Sequence, residues 1–176
     1  MDKVYYVIAE AVAGRQAEVI FMKWSCLRRI VNPTNGEITY FIKYCRVKEQ
    51  GAVEEMEQMV VGKVNIDTID AYINCFTPEE RNPESRLFRY LIFDKAERKI
   101  RGTKKQIGKN WFAQSGVRVA TQLEKDNPEL YTGHWIRRNA VTRLANAGLT
   151  LPQIKCVSGH KSDKVVQGVS DAIIIL

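Results

Sequence analysis

Histidine is scarce in this sequence: of 176 residues, two are histidines, His134 and His160. Imidazole is the side chain best suited to take up or release a proton near neutral pH, so each is a candidate for acid–base work. His134 opens His-Trp-Ile-Arg and stands three residues ahead of Arg137, a spacing that puts an imidazole and a guanidinium on one helix face. His160 follows Gly159, in a turn between two short helical stretches. Such a pair can bind an oxyanion and move a proton beside it. On its own, H-x-x-R is a common surface pair and takes its meaning from what surrounds it.

A second concentration of functional groups is electrostatic. Between Lys95 and Lys109 lie Lys95, Arg98, Lys99, Arg101, Lys104, Lys105 and Lys109, against the single acid Glu97. Gly102 and Gly108 fall inside the segment, which predicts that part of it is a loop. It is either a solvated surface stretch or a set of phosphate contacts, and neighbouring segments must decide between the two. The whole chain carries a formal net charge of +7, which favours polyanionic partners, nucleic acid first and a membrane surface second. The opposite pole is 49–57, with four glutamates in nine positions, predicted as a solvated turn or strand edge.

Bulk features exclude several classes. No run approaches the ~18 consecutive apolar residues that cross a bilayer. The start, Met1-Asp2-Lys3-Val4, lacks the layout of a secretory signal. The apolar end, Ala172 to Leu176, is too short for an anchor, so no membrane partner is expected. Cys26, Cys45, Cys75 and Cys156 form no C-x-x-C pair, which argues against zinc and predicts reduced, mostly buried thiols in an intracellular protein. No metal and no cofactor is implied.

Elements must hold these side chains in place. Apolar residues at helical spacing predict helices over 4–13 (Val7, Ile8, Val12) and 15–24 (Val19, Ile20, Met22), divided at Gly14. Asn32-Pro33-Thr34-Asn35-Gly36 is turn chemistry. It leads into a β-branched and aromatic run, 37–44, predicted as a strand, with a partner strand after Gln50-Gly51 that ends near Val60-Val61. Asn65 is predicted to cap a helix running to Phe76, ahead of a loop marked by Pro78 and Pro83. A helix over 108–125 would turn Trp111, Val119 and Leu123 inward. The clearest amphipathic helix is 132–147, burying Trp135, Ile136, Ala140, Val141 and Leu144. Gly148 ends it, and 151–157 forms a short helix after it. The fold class predicted is mainly α (α+β), with a small antiparallel sheet near 37–61.

The segment Tyr131-Thr132-Gly133-His134-Trp135-Ile136-Arg137-Arg138-Asn139-Ala140-Val141-Thr142, continuing through Ala147-Gly148-Leu149 to Ser158-Gly159-His160-Lys161-Ser162, resembles the second conserved block of the tyrosine recombinases, the phage-integrase family. The shared features are a glycine-histidine, an arginine three residues on, a helix ending at Ala-Gly, and then Gly-His-Lys-Ser. The wording Asn-Pro-Glu-Leu-Tyr-Thr-Gly-His, with Gly108-Lys109-Asn110 upstream, is most similar to the recombinases of eukaryotic Crypton-type transposons. The resemblance implies a helical catalytic-domain-like fold over 1–176, with no room for the family's front DNA-clamping domain.

It also implies a site. Gly14-Arg15-Gln16-Ala17-Glu18 with Trp24 resembles the family's first arginine block, so Arg15 and Arg137 would clamp the scissile phosphate; the alternative for Arg15 is an ion pair to Glu18. Lys48, with Lys43 in reserve, matches the hairpin lysine that protonates the leaving 5′-oxygen. His134 would act as base or phosphate ligand, and His160 would hydrogen-bond a non-bridging oxygen. The partner implied is double-stranded DNA, with self-association on DNA, in the nucleus if the source is eukaryotic. The family's tyrosine nucleophile is expected about nine residues after the second histidine, where this chain has Val169; all seven tyrosines precede His134. Ser170 would need a different reach and activation to replace it. Three readings stay open: a DNA-binding domain that has lost strand cleavage, an active recombinase or integrase seen as a fragment or altered form, and a domesticated protein-interaction module.

Overall fold

Val4, Val7, Ile8 and Val12 recur at helical spacing and form the buried stripe of α1 (Asp2–Val12). The helix stops at Ala13, whose left-handed backbone (φ 43°) turns its N–H back to the Glu10 carbonyl. The structure is a computed structural model and describes residues 1–47, 53–160 and 162–170. A short helix α2 (Gln16–Ile20) comes next. It is shorter than the predicted 15–24 because Phe21 leaves helical geometry and Lys23 pairs with Arg86 across an isolated bridge.

Three antiparallel strands follow, in the order β1 (Leu27–Val31), β2 (Ile38–Val47), β3 (Val53–Met59). The predicted pair at 37–61 is therefore the larger part of a sheet with an additional strand. On β2, Tyr40, Ile42, Tyr44 and Arg46 point inward and are buried, whereas Phe41, Lys43 and Cys45 lie on the other face. Of the acidic segment 49–57, Glu54, Glu55 and Glu57 fall on β3, at the sheet edge, and Glu49 lies outside the described residues. Helix α3 (Lys63–Ile73) starts two residues ahead of Asn65, from Gly62 at φ 94°. Asn65 is no cap: its side chain donates to the Val61 carbonyl instead.

Part of the basic segment 95–109 is loop, as predicted, at the turn 95–98. Most of the segment is β5 (Lys99–Gln106), paired with β4 (Arg89–Asp94) in a separate two-stranded sheet that the sequence reading did not anticipate. Gly102 marks where β5 crosses the end of α3, since a Cβ there would sit 1.8 Å from the Phe76 ring. The predicted helix 108–125 is divided at Gln114 into α4 (Lys109–Ala113) and α5 (Ser115–Gln122). Because α5 ends at Gln122, Leu123 is 55% exposed rather than inward.

The C-terminal helices are α6 (Trp135–Asn146), α7 (Leu151–Ser158) and α8 (Asp163–Ser170). Thr150 and Gln153 form a capping box at the start of α7, and Gly159 (φ 67°) ends it. Val141, Ile154 and Val166 make a small core that joins these three helices. The main core lies among α1, β2, α3 and the aromatic residues Trp24, Tyr72, Phe76, Phe88 and Phe112. The cysteines are not mostly buried: Cys26 and Cys75 are half-buried, Cys45 and Cys156 exposed. Among the described residues, no helix is long and apolar enough to cross a membrane.

Candidate functional site

Arg137 lies in the first turn of α6 and is buried, and its environment joins both ends of the chain. Its Nη1 donates to the Ala13 carbonyl at 2.9 Å, and its Nε lies 3.4 Å from His160 Nε2. Burial and the neighbouring Arg15 push its pKa down to about 10, with Glu18 opposing; it remains a cation at neutral pH. Arg15 is the N-cap residue of α2, nearly half exposed, and forms a 3.1 Å ion pair with Glu18, which also accepts from the Arg15 backbone N–H at 2.7 Å. The Glu18 alternative for Arg15 is thus present, and it coexists with proximity to Arg137.

His160 follows the left-handed Gly159, with its Nδ1 2.7 Å from Ser158 Oγ. Burial, then Arg137, Arg15 and Arg46, lower its pKa to about 4, so the ring is neutral at pH 7. His134 is exposed at the N-cap of α6, and its side chain has no hydrogen-bond partner among the described residues. Gly133 brings this turn against α2, since a Cβ there would meet Gln16 Oε1 at 2.4 Å. The structure therefore brings Arg15, Arg137 and His160 together, with His134 at the adjoining helix start. Lys43 points to the opposite face of β2 from this cluster, and Lys48 lies outside the described residues. Val169 falls on α8, and its side chain is likewise outside what is described, as is that of Ser170.

Sequence reasoning missed Arg46. It is 4% exposed at the end of β2, and its guanidinium donates to the carbonyls of Cys156 (3.2 Å) and Val157 (2.8 Å) in the last turn of α7. A cation there complements the negative end of the helix and fixes the turn that carries His160. Its Nη2 also donates to Tyr44 Oη, and Tyr44 donates to the Val12 carbonyl at 3.3 Å. The period-two run Tyr40, Ile42, Tyr44 was the available signal: one more step places Arg46 on the inward face. Tyr44 and Arg137 thus hold the two carbonyls, Val12 and Ala13, that precede Arg15. Glu18 pairs with Arg15 and opposes the positive charge at Arg137, and the charges that act on His160 are all positive.

The basic hairpin reaches this cluster through α2. Lys109 and Arg86 both stand over the ring of Phe21, the C-cap of α2, at 5.3 and 4.2 Å. Arg15 caps the other end, about 9 Å away at 1.5 Å per residue. Lys99 and Arg101 are paired with Glu97 and Asp94, and Lys105 lies over Tyr90. Lys95, Arg98 and Lys104 are exposed.

No family model and no curated protein matches the sequence. Solved structures do match. The XerH site-specific recombinase bound to difH substrate, in a pre-cleavage complex, superposes with a TM-score of 0.60 at 13% identity over 96% of this chain and 42% of that one. XerA recombinase gives 0.57 at 13% identity, over 96% and 53%. The Tn1549 transposon integrase, in complex with a circular intermediate DNA, gives 0.51 at 13% identity, over 94% and 52%. The fold is that of a tyrosine recombinase catalytic domain. The chain spans about half the length of these recombinases, and in its recombinase fold α1, α2, β2, α6 and α7 are the elements that bring Arg15, Arg46, Arg137 and His160 together.

Proposed function

We propose that this chain is a DNA-binding domain of the tyrosine-recombinase type, which grips a duplex by its backbone phosphates and does not cut it. The observation that carries the reading is the convergence of Arg15, Arg137 and the neutral His160 in one positively charged cluster, within a recombinase fold. Two guanidinium forks suit the non-bridging oxygens of a phosphodiester. His134 adds an exposed imidazole at a helix N-terminus, where anions are favoured. The hairpin basics, Lys95, Arg98, Lys99, Arg101, Lys104, Lys105 and Lys109, extend the contact along the backbone.

Cleavage needs an oxygen nucleophile in line with the leaving 5′-oxygen, and valine at 169 has none. Charge stabilisation without a positioned attacker leaves the bond-making step undone. Residues 1–176 are proposed as one catalytic-type domain of the Crypton kind, a reading that the motif wording supports; it would act on double-stranded DNA, in the nucleus if the source is eukaryotic, with self-association on the duplex as part of the proposal. Lys48 remains the residue proposed for the leaving-group position.

The test is titration of a labelled duplex at several salt concentrations, followed by a nicked suicide substrate analysed on a denaturing gel. Binding that weakens steeply with salt and yields no covalent band is expected. Salt-independent binding, or none, overturns the DNA reading. A protease-sensitive band that survives denaturation overturns the loss of cleavage and favours an active recombinase.

A further inference from the structure

We propose that Ser158 is a positioning residue: it holds His160 as the Nδ1–H tautomer, so that Nε2 accepts from Arg137 and fixes the guanidinium that meets the phosphate. The consequence for DNA rests on the reading above; the hydrogen-bond chain itself does not.

The direction of the chain follows from donor and acceptor inventory. Arg137 Nε can only donate, and its neighbour is His160 Nε2 at 3.4 Å, so Nε2 must carry the lone pair. In a neutral imidazole the proton is then on Nδ1, which lies 2.7 Å from Ser158 Oγ and must donate to it. The serine hydroxyl has one proton left to place, and the Ile154 carbonyl stands 2.7 Å away. The sequence Arg137 Nε–H to His160 to Ser158 to Ile154 runs one way, with each donor used once. Ser158 is fully buried in the last turn of α7, and among the described residues its Oγ is the one polar partner of His160 Nδ1.

This ordering changes what His160 does. With its Nε2 lone pair committed to Arg137, the neutral ring offers no proton to a phosphate oxygen. It acts through Arg137 instead. Arg137 has one Nη1 proton on Ala13 and its Nε proton on His160, which leaves the Nη2 amino group without a partner among the described residues. The Nε–H and Nη1–H anchors lie on different sides of the planar fork and together fix its orientation, which leaves the Nη2 protons to meet an oxyanion. A hydrophobic residue at 158 would bury equally well but would leave Nδ1–H unpaired, which favours the other tautomer and turns an N–H toward the Arg137 cation.

The experiment is a long-range ¹⁵N correlation spectrum of the imidazoles in the full chain at pH 7.5, with the two histidines distinguished by loss of one set of signals in His160→Asn. His160 is expected as Nδ1–H, and as a mixed or Nε2–H ring in Ser158→Ala, with Ser158→Thr retaining Nδ1–H. Duplex affinity should fall about fivefold in Ser158→Ala, one neutral hydrogen bond's worth, and be kept in Ser158→Thr. An Nε2–H ring in the wild type overturns the proposal, as does a Ser158→Ala spectrum identical to it. If Ser158→Ala does not fold, the wild-type spectrum and Ser158→Thr still decide. A wild type with the expected tautomer that binds no duplex sinks the DNA reading alone, whereas duplex binding with the reversed tautomer sinks only the role of Ser158.

Discussion

At Arg15 and His160, the same positive field acts on two groups with different consequences. Arg15 is exposed, so it is the guanidinium that can be removed without opening the core. Arg15→Gln should weaken binding to all duplex sequences alike and reduce the slope of log K against log salt by roughly 0.9, measured by duplex titration between low and moderate salt. An unchanged slope would mean that Arg15 serves only Glu18. His160 is the titrating member. Its folded pKa is lowered to about 4 by burial and by Arg137, Arg15 and Arg46, whereas the unfolded ring titrates near 6.5. Between those values the unfolded chain binds more protons, so stability is complete above about pH 6.5 and is lost as pH falls toward 4. Urea midpoints from pH 7.5 to 4.5 should therefore drop more steeply in the wild type than in His160→Asn; equal slopes would refute the assignment.

Among the elements, the turn before α6 is packed tightly against backbone. A Cβ on Gly116 of α5 would lie 2.1 Å from the Tyr131 carbonyl oxygen, which is backbone and cannot rotate away. Gly116→Ala should cost about 1–3 kcal/mol, read as a lower urea midpoint, and should loosen the His134 turn as well. The end of α7 is the second tight point. Arg46→Leu removes two charge-assisted bonds to α7 carbonyls and should cost about 2–4 kcal/mol; a neutral outcome would show that water takes over the carbonyls. The helices 132–147 and 151–157 were legible because their apolar periodicity and the glycines that end them act locally. Gly133-His134 and Gly159-His160 were legible because the family wording is dense there. The β4–β5 sheet was not: its charged residues and Gly102 read as loop, and only the approach of Phe76 explains the glycine. Arg46 was missed because a cation at the end of a predicted strand reads as solvated unless the helix terminus that receives it is already known. The short α2 was over-extended because Val19, Ile20 and Met22 are buried for tertiary reasons that mimic a helical stripe.

For the whole molecule, charge is arranged along a path rather than in one spot: the hairpin basics, then Lys109 and Arg86 on Phe21, then Arg15 at the far end of α2. Reversing the charge at Lys104 and Lys105 together should weaken duplex binding regardless of sequence, because backbone contacts carry no base information. Equal affinity in that double variant would reduce the hairpin to a solvated surface. The Arg137–Ala13 bond joins residues 124 apart in the chain, so the cluster is assembled from segments far apart in the sequence. Closing a loop of that length costs entropy that the contact must offset. On the proposed function, a chain in which Arg137 has not reached Ala13 lacks the arrangement that would hold a phosphate. Occupancy becomes a report on completion of the fold, and a ligand at a hundred times its Kd adds about 2.7 kcal/mol to global stability rather than to one helix.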